Sequence, residues 1–358
     1  MTQTKQVTFG IIGAGGIANK LHLPQLAKLS QARVKWLSGR SEARLRTLSE
    51  RFDVPRWTHN YDEILRDPEV DAVIVALPHP LHVSAGIQVL AAGKHLLMQK
   101  PLCDTLEDAN RFVDAVEQSD RTVLVLPHFS SAVYASRQLI RDGVIGKVSG
   151  VTGRSSHGGP EVYYAEVRDG FGEESGDLWF FDAQRASVGA LFDMGVYACS
   201  QIIATGGSVA RVFGRTATLD KPTQLEDTAT LLLEFENGAL GTVETSWCDP
   251  ARTNFLHIHG TRGKLMSPGH ERNPLTHWEP GSYTREDIPP VPHTVDVAPF
   301  NKGDAHQHFL ECVARGIQPP LSNAQTARHV TEVLLAGLES ARSHRPVEIT
   351  SRLGAEPA

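Results

Sequence analysis

A glycine-rich turn between an apolar run and a helical stretch constrains the fold of this chain more than any other feature. The turn reads Gly13-Ala-Gly15-Gly-Ile-Ala18 and follows the apolar run Val7-Thr-Phe-Gly-Ile-Ile12, which has the composition of a buried strand. Gly13 permits a tight turn, Gly15 lets the main chain approach a ligand, and Ala18 allows a helix to pack closely against the strand. The unpaired N–H groups and the positive dipole end of such a helix bind phosphate. This order of elements predicts a strand–turn–helix that binds the pyrophosphate of a dinucleotide.

The pattern of predicted strands and helices changes once along the 358 residues of the chain. Apolar runs alternate with helical stretches over residues 1–126, which predicts a dinucleotide-binding domain with a parallel sheet and crossover helices. Its first helix is expected over residues 17–29. Strands then follow one another, including a hairpin with an Asn237-Gly238 turn. Residues 127–358 are therefore expected to form a second, α+β domain on a mostly antiparallel sheet, with an irregular excursion over residues 267–300.

The bulk composition excludes several classes of protein. The formal net charge of −6 gives no electrostatic reason to expect nucleic acid or an anionic membrane as a partner. The longest apolar runs have the length of strands, and the polar N-terminus does not resemble a signal peptide. The four cysteines are widely scattered, as in a cytoplasmic protein with reduced thiols. We expect a globular cytoplasmic protein that does not associate with a membrane.

The loop after the second predicted strand bears on the choice of dinucleotide. Proteins that bind NAD place an Asp or Glu there to hold the ribose hydroxyls. Here the loop reads Ser38-Gly39-Arg40-Ser41, which contains hydrogen-bond donors and a guanidinium but no acid. These groups suit a 2′-phosphate, so the loop predicts NADP as the preferred cofactor, with NAD as the alternative. The alternative for Arg40 itself is an ordinary surface arginine.

Further candidates follow other strands at the edge of a parallel sheet where ligands bind. Leu77, Pro78, His79 and His82 are expected to flank the cofactor, although the opening of a helix explains the proline-containing stretch equally well. Lys100, held in a turn by the following proline, could stabilise negative charge on a reacting oxygen. A Lys-Pro pair by itself is more often only a loop.

Asp193 and Tyr197 lie four positions apart in the stretch from Gly189. If this stretch is helical, both side chains lie on one helix face, where an acid and a phenol could hold a hydroxyl group and move its proton. The alternative is a helix-capping Asp and a buried Tyr.

Taken together, these segments resemble the Gfo/Idh/MocA oxidoreductases, named for glucose–fructose oxidoreductase and inositol dehydrogenase. The likeness covers almost the whole chain and rests on the shared order of its motifs. These are Gly10 to Ala18 with His22-Leu-Pro24, Asp71 to Pro78 with His82, Ala92-Gly-Lys-His95, Lys100-Pro101, Gly189 to Tyr197, Glu226-Asp-Thr-Ala229, Phe235 to Gly241, and Gly260 to Leu265.

The resemblance implies a Rossmann domain followed by a domain with a large open sheet, which often serves as an oligomer interface. It implies that Lys100 is the catalytic lysine, Asp193 a substrate-binding residue of the catalytic set, and Tyr197 the proton donor or acceptor. Gln99 stands where the family usually has Glu, and its amide can still contact the nicotinamide ribose. Tyr197 stands where many members have His. Because a phenol ionises only near pH ~10, a neighbouring lysine cation would assist proton transfer through Tyr197.

Several residues are assigned less directly. Gly16 and Ile17 are expected to contact the cofactor with the rest of the glycine-rich turn. His128, Arg154, Trp179 and Phe180 are expected to line the substrate pocket, the aromatic rings against the C–H surface of a sugar. No metal site is expected, because the pairs His306/His308 and His257/His259 lack the spacing or the acidic partners of a metal site.

The sequence therefore predicts a homodimeric or homotetrameric NAD(P)-dependent dehydrogenase or reductase. It is expected to transfer a hydride between the nicotinamide and a CH–OH or C=O carbon of a sugar or cyclitol. One alternative is a redox-neutral glycosidase or epimerase that retains its cofactor. Another is a nucleotide- or sugar-binding protein without turnover.

Overall fold

The computed structural model describes residues 6–171, 179–268, 274–281 and 288–354. Contacts divide the chain into two compact units, neither of which is continuous in sequence. Unit 1 comprises the described residues of Met1–His128, Glu161–Leu178 and Gly303–Arg328, and unit 2 those of Phe129–Pro160, Trp179–Lys302 and His329–Ala358. The boundary between residues 126 and 127 stays a prediction about the domains.

Unit 1 contains a six-stranded parallel sheet. Its strands are β1 (Val7–Ile12), β2 (Ala32–Ser38), β3 (Arg56–Thr58), β4 (Ala72–Val75), β5 (His95–Met98) and β6 (Val123–Val125). They are arranged in the order β3-β2-β1-β4-β5-β6. This is the doubly wound order, in which the direction of strand addition reverses between β1 and β4. The predicted Rossmann sheet is confirmed. Ligands of such sheets bind at the carboxyl ends of the strands beside this reversal.

Crossover helices explain why the central strands are apolar at every position. The helices of this part of the chain are α1 (Leu23–Leu26), α2 (Glu42–Arg51), α3 (Asp62–Arg66), α4 (His82–Ala91) and α5 (Leu106–Glu117). All four residues of β4 are fully buried, as expected for a strand covered on both faces. The hydroxyl groups of Ser41 and Thr105 cap the N-termini of α2 and α5.

The first helix differs from the prediction. A continuous helix was expected over residues 17–29, but a wide five-residue turn of π-helical form occupies Ala18–His22 and a single α-helical turn, α1, follows it. Pro24 supplies no N–H group, so it cannot donate to the carbonyl of residue 20 as a regular helix requires. The wide turn places His22, which is buried, toward the interior of unit 1.

Unit 2 is built on a mixed sheet of nine strands. They are β7 (Val148–Ser156), β8 (Val209–Ala217), β9 (Thr228–Phe235), β10 (Leu240–Ser246), β11 (Asn254–Gly260), β12 (Gly263–Ser267), β13 (Thr276–Glu279), β14 (Val291–Thr294) and β15 (Val347–Glu348). The order is β14-β13-β12-β11-β7-β10-β9-β8-β15. Among the described strands of this sheet, only β7 and β10 pair in parallel, so the prediction of a mostly antiparallel sheet is confirmed. The predicted hairpin is formed by β9 and β10.

One face of this sheet is covered and the other is open. On β9, Leu231 and Leu233 are fully buried, whereas Leu232 between them is 48% exposed. The remaining helices are α6 (Ser131–Arg141), α7 (Pro160–Phe171), α8 (Ala183–Ala186), α9 (Ala190–Asp193), α10 (Gly195–Gly206), α11 (Ala305–Arg315) and α12 (Ala324–Ser343). Of these, α10 packs on β7 and β10 and is buried along most of its length. The alternation on β9 is that of a strand with one buried face.

The expectation of an irregular segment over residues 267–300 was wrong in part. The described residues of this stretch include β13 and β14, which extend the sheet through main-chain pairing with β12. Sequence alternation is weak there because β14 is exposed at every position. Within the described part of the chain, no helix has the length and apolar character needed to cross a membrane.

Candidate functional site

In the glycine-rich turn after β1, two glycines have very different surroundings. Gly13 has a φ of +99°, and a Cβ added there would lie 2.4 Å from the carbonyl oxygen of Ala76. A Cβ added at Gly15 would meet no atom within 4 Å. Gly13 is therefore needed by the fold, whereas Gly15 leaves space beside the main chain that a ligand can enter.

The next two residues of the turn are arranged differently. A Cβ added at Gly16 would lie 2.4 Å from Val167 and 2.8 Å from the hydroxyl oxygen of Tyr163, both on α7. Ile17, which was also predicted to contact the cofactor, is half-buried at the start of the wide turn. Gly16 is thus explained by its close contact with α7, a helix that was not predicted from the sequence.

The loop after β2 combines one exposed cation with groups used by the fold. Ser38 is buried, and its carbonyl oxygen accepts hydrogen bonds from the N–H groups of Gly13 and Ala14. Arg40 is exposed. Ser41 accepts a hydrogen bond from the N–H of Arg44 as the N-cap of α2, and its own hydroxyl hydrogen can still be donated. The loop therefore offers a cation and a hydroxyl beside the glycine-rich turn.

Gly39 and Arg44 complete this loop. The Gly39 carbonyl oxygen lies 2.8 Å from Nδ1 of His59, and the Gly39 N–H donates to the carbonyl of Thr58. Arg44 lies with its guanidinium carbon 5.1 Å from the ring centre of Phe171. Arg44 is thus a second cation near the predicted 2′-phosphate loop, and the prediction did not include it.

The residues after β4 form a well-packed bend. Leu77 and Pro78 are half-buried, and His79 is 4% exposed. The ring nitrogens of His82 lie 2.8 Å from the carbonyl oxygen of Pro101 and 2.7 Å from that of Leu77. Burial lowers the pKa of His82 to about 4, although both carbonyls favour the protonated ring. His82 therefore ties the bend after β4 to the turn after β5.

Lys100, the predicted catalytic lysine, lies just after the end of β5. Lys100 is half-buried and precedes Pro101 through a cis peptide bond. Gln99 is 6% exposed, and its Oε1 accepts a hydrogen bond of 3.1 Å from the Lys100 N–H. The Gln99 Nε2 lies 3.0 Å from Nε2 of His22, in the wide turn that follows the glycine-rich turn.

His128, after β6, contacts another histidine of unit 1. Its Nε2 lies 3.2 Å from Nδ1 of His308, and the two rings meet edge to face. Burial, and then the proximity of His308, lower the pKa of His128 to about 4. The structure therefore places the predicted substrate residue His128, which is half-buried, against the buried His308.

In unit 2, Asp193 is the centre of a polar cluster. Its Oδ2 accepts a hydrogen bond of 2.9 Å from the indole Nε1 of Trp247 and lies 3.5 Å from Nε2 of His157. The Gly159 N–H donates to Nδ1 of the same histidine, which leaves the hydrogen of a neutral ring on Nε2, directed at the carboxylate. The indole N–H thus orients the Asp193 carboxylate, and the His157 ring lies beside it.

The segment that carries Asp193 is anchored by a buried acid. Glu226 accepts hydrogen bonds from the main-chain N–H groups of Gly189 and Leu191 through Oε1. Burial raises its pKa, an effect that these N–H groups oppose. A Cβ at Gly189 would lie 2.2 Å from the Glu226 carbonyl oxygen, so the close approach requires glycine.

The spacing of Asp193 and Tyr197 was interpreted on the condition that both lie on one continuous helix, but the structure places them on two helices. α9 ends at Asp193, Met194 has a φ of −107°, and α10 begins at Gly195. Tyr197 is half-buried in the first turn of α10. The two residues remain four positions apart, on consecutive helices.

The other predicted substrate residues are divided between two environments. Arg154 on β7 is paired with Glu244 at 3.1 Å and lies 3.6 Å from Asp249. Trp179 and Phe180 are half-buried and pack on each other with ring centres 4.2 Å apart. The Phe180 ring also meets the ring of the Asp193 partner, Trp247, edge to face. The aromatic pair therefore lies beside the Asp193 cluster, whereas Arg154 is neutralised by acidic partners.

Sequence reasoning missed His157 and Trp247. Both directly follow a strand end, at Ser156 and Ser246, which are opposite each other in the parallel pair β7 and β10. The carboxyl ends of parallel strands meet at one edge of a sheet, so this pairing brings the two side chains together. The sequence shows two residues after strands, but it does not show that these strands are neighbours.

The described residues fit a dinucleotide and offer no metal site. The open space at Gly15 is what close approach of a pyrophosphate requires. Among the side chains that the structure describes, no three His, Cys, Asp or Glu residues are grouped so as to hold a metal ion.

Comparison with known proteins identifies both parts of the chain. The model of a family described as an oxidoreductase family with an NAD-binding Rossmann fold matches residues 7–126. The model of the GFO/IDH/MocA C-terminal domain matches residues 133–266.

Relatives match over nearly the full length. D-xylose 1-dehydrogenase (NADP(+)) 2 of Haloferax volcanii is 25% identical, covering 95% of this chain and 99% of its own. D-apiose dehydrogenase of Paraburkholderia graminis is 27% identical, covering 100% of this chain and 93% of its own. A solved structure of levoglucosan dehydrogenase in complex with NADH and L-sorbose has a TM-score of 0.80 at 20% identity, covering 97% of this chain and 99% of its own, and shows the shared fold.

Proposed function

The chain belongs to the Gfo/Idh/MocA family of NAD-binding oxidoreductases, and from this premise we propose that it is an NAD(P)-dependent dehydrogenase or reductase of a sugar or cyclitol. The relatives named for xylose and apiose support a sugar as the substrate class. In the proposed reaction, a CH–OH carbon of the substrate is oxidised to a carbonyl, or the reverse. When bound, the nicotinamide accepts or supplies the hydride.

The observation that carries this proposal is the environment of Asp193. Its carboxylate accepts a hydrogen bond from the indole N–H of Trp247 and lies 3.5 Å from Nε2 of His157, and an aromatic pair packs beside that indole. A carboxylate oriented in this way retains lone pairs that can accept hydrogen bonds from substrate hydroxyl groups. Carboxylate oxygens beside aromatic faces suit a polyhydroxylated carbon skeleton.

Two further residues carry the proposed chemistry. Lys100 would donate a hydrogen bond to the oxygen on the reacting carbon and stabilise the negative charge that develops there. Tyr197 would take the hydroxyl proton during oxidation and return it during reduction. The hydrogen bond from the Lys100 N–H to the buried Gln99 amide supports Lys100 as a residue with a defined main-chain position.

The cofactor would be held by the glycine-rich turn and the loop after β2. Gly15 would admit the pyrophosphate, and the exposed Arg40 with the Ser41 hydroxyl would bind the 2′-phosphate of NADP. We therefore expect NADP to be preferred over NAD. The R40A variant should lose affinity for NADPH about tenfold or more while its affinity for NADH changes little. The variant R66A, at an exposed arginine on α3, is the matched control. If R40A bound NADPH as tightly as the native protein does, the proposed preference for NADP over NAD would be refuted.

The role of Lys100 is tested by the variant K100M. Removing one donor to a developing oxyanion costs ~10²–10³-fold in turnover, and we expect a loss of this size with NADPH binding retained. K28M, at an exposed lysine of unit 1, is the control for loss of charge. Turnover like that of the native protein in K100M would contradict the assignment.

We also propose that the protein forms a homodimer or homotetramer through the open face of the nine-stranded sheet. Leu232 and Leu240 are 48% and 53% exposed on this face, where exposed apolar side chains on adjacent strands favour association. Sedimentation equilibrium of the native protein and of the variant L232K/L240K measures this. A native monomer would contradict the proposal.

A further inference from the structure

The side chain of Gln99 is hydrogen-bonded at both ends inside unit 1. Its Oε1 accepts from the N–H of Lys100 at 3.1 Å, and its Nε2 lies 3.0 Å from Nε2 of His22. Gln99 is 6% exposed and His22 is fully buried, so water does not replace these contacts. The amide that stands in the place of the family's usual Glu is therefore part of a buried structure.

From His22 the contacts continue to the start of α11. Nδ1 of His22 lies 2.9 Å from Nε2 of His306, and the two rings meet edge to face with centres 5.1 Å apart. Nδ1 of His306, which is fully buried, lies 3.5 Å from Oδ1 of Asp304. Asp304 is the N-cap of α11 and also accepts the N–H groups of His306 and Gln307. A chain of four side chains thus joins Gln99 to a carboxylate on another element.

The two ends of this chain require the same direction of hydrogen bonding. A carboxylate can only accept, so the hydrogen of a neutral His306 ring is favoured on Nδ1, which faces Asp304 at 3.5 Å without forming a hydrogen bond, and Nε2 is left to accept from Nδ1–H of His22. The Nε2 of His22 is left as an acceptor, which the NH₂ group of Gln99 satisfies. The amide oxygen is then the atom that faces the Lys100 N–H, as the geometry at that end independently shows.

The ionisation of the members is consistent with this direction. Burial is the largest cause that lowers the pKa of His22, to about 3. The nearby His306 ring, with the main-chain N–H groups of His306 and Gln307, lowers the pKa of Asp304 to about 2, against the effect of burial. At neutral pH the chain therefore has a neutral His22 and an ionised end at Asp304.

We propose that His22, His306 and Asp304 are positioning residues that orient the Gln99 amide and, through it, the main chain at Lys100. This inference rests on the proposed role of Lys100 in the reaction. It also assigns a reason for glutamine at this position: only an amide can donate to His22 and accept from Lys100 at once. A carboxylate accepts at both contacts, so His22 would have to donate from Nε2; if Nδ1–H is retained for His306, the His22 ring then carries a second proton.

The variant Q99E is accordingly expected to convert His22 to an imidazolium that donates to Glu and to His306. The charged and titratable groups around the chain are His306 and Asp304 of α11, the pair His128 and His308, and Lys100. The new carboxylate would lie next to His22 and outweigh the repulsion from the neighbouring histidines.

Nuclear magnetic resonance of the full-length protein with ¹⁵N-labelled histidine tests the inference directly. The signals of His22 are assigned by their loss in H22F. In the native protein we expect a neutral ring with hydrogen on Nδ1 from pH 5 to 8, and in Q99E an imidazolium at pH 7. A native ring with hydrogen on Nε2, or a neutral His22 in Q99E, would overturn the proposal. Q31E, at an exposed glutamine, controls for the added charge.

Turnover separates positioning from a merely structural role. In Q99E, kcat should fall at least tenfold as pH rises through the ionisation of His22, because the lone pair of the neutral ring then faces a carboxylate. The native protein and the double variant H22F/Q99E should lack this dependence. A loss in Q99E that is equal at every pH would contradict positioning. The result for K100M is independent of the ring signals, so failure of the proposed function and failure of this inference are distinguishable.

Discussion

Two alanine substitutions within the glycine-rich turn should affect different properties of the protein: G13A its stability, and G15A its affinity for the cofactor. In G13A, the residue retains a φ of +99°, and its Cβ would lie 2.4 Å from the Ala76 carbonyl oxygen. The unfavourable φ costs ~1–3 kcal/mol and the contact with main chain adds ~1–3 kcal/mol. We therefore expect the free energy of unfolding to fall by about 3 kcal/mol or more.

In G15A, the expected change lies in binding and not in folding. Gly15 is not among the glycines with positive φ, and its added Cβ would meet no protein atom within 4 Å. Stability should be unchanged or higher by ~0.4–1 kcal/mol, because alanine restricts the unfolded chain. The methyl group occupies the space assigned to the pyrophosphate, so the Kd for NADPH should rise at least tenfold, or about 1.4 kcal/mol.

The assays are urea unfolding for stability and fluorescence titration with NADPH for binding. G93A is the matched control for conformation: Gly93 has a φ of +69° with nothing within 4 Å of an added Cβ. Its cost should be only ~1–2 kcal/mol, without an effect on NADPH binding. Native affinity for NADPH in G15A would refute the cofactor site.

The remaining predictions concern substrate binding and acid stability. In W247F, loss of the indole donor to Asp193 should raise KM for the sugar about tenfold or more while the Kd for NADPH is unchanged. The control W278F should change neither constant. An unaltered KM in W247F would count against Asp193 as a substrate ligand. Because burial holds the pKa of His82 near 4, below its value of 6.5 in the unfolded chain, the unfolded state binds more protons between these values and stability falls on acidification. Urea unfolding should show a loss of about 3 kcal/mol from His82 between pH 7 and pH 4, absent in H82N; an equal loss in that variant would contradict this.

Local patterns were sufficient to predict the frame of the fold. β1, β5 and α12 have the bounds expected from apolar runs and helical periodicity, and the Asn237-Gly238 turn joins β9 to β10. These features depend on residues close together in sequence, where propensity and turn chemistry act directly.

The parts that were missed depend on contacts between distant segments. α7 contains two tyrosines and one glycine and has no strong periodic pattern, yet Val167 and Tyr163 meet Gly16 across about 150 positions. The first helix contains a π-helical turn at Ala18–His22 and ends with α1 at Leu26, although its apolar spacing alone suggested a longer, regular helix.

The same division holds for the candidate site. Gly13, Gly15, Lys100 and Asp193 could be proposed from motifs, because each follows a strand or opens a helix. Their partners could not, since the pairing of β7 with β10, which brings His157 and Trp247 together, is a register that no local pattern encodes.

The central claim is net oxidation or reduction of a sugar or cyclitol by this chain. Its most direct test is incubation of the purified native protein with a panel of aldoses and cyclitols and with NADP⁺ or NAD⁺, following the absorbance of the reduced nicotinamide and the oxidised product. The account predicts reduced cofactor in equal amount to oxidised substrate, faster with NADP⁺, and abolished in K100M. Release of a rearranged or hydrolysed sugar with no net reduced cofactor, or no product with any substrate in either direction, would contradict it.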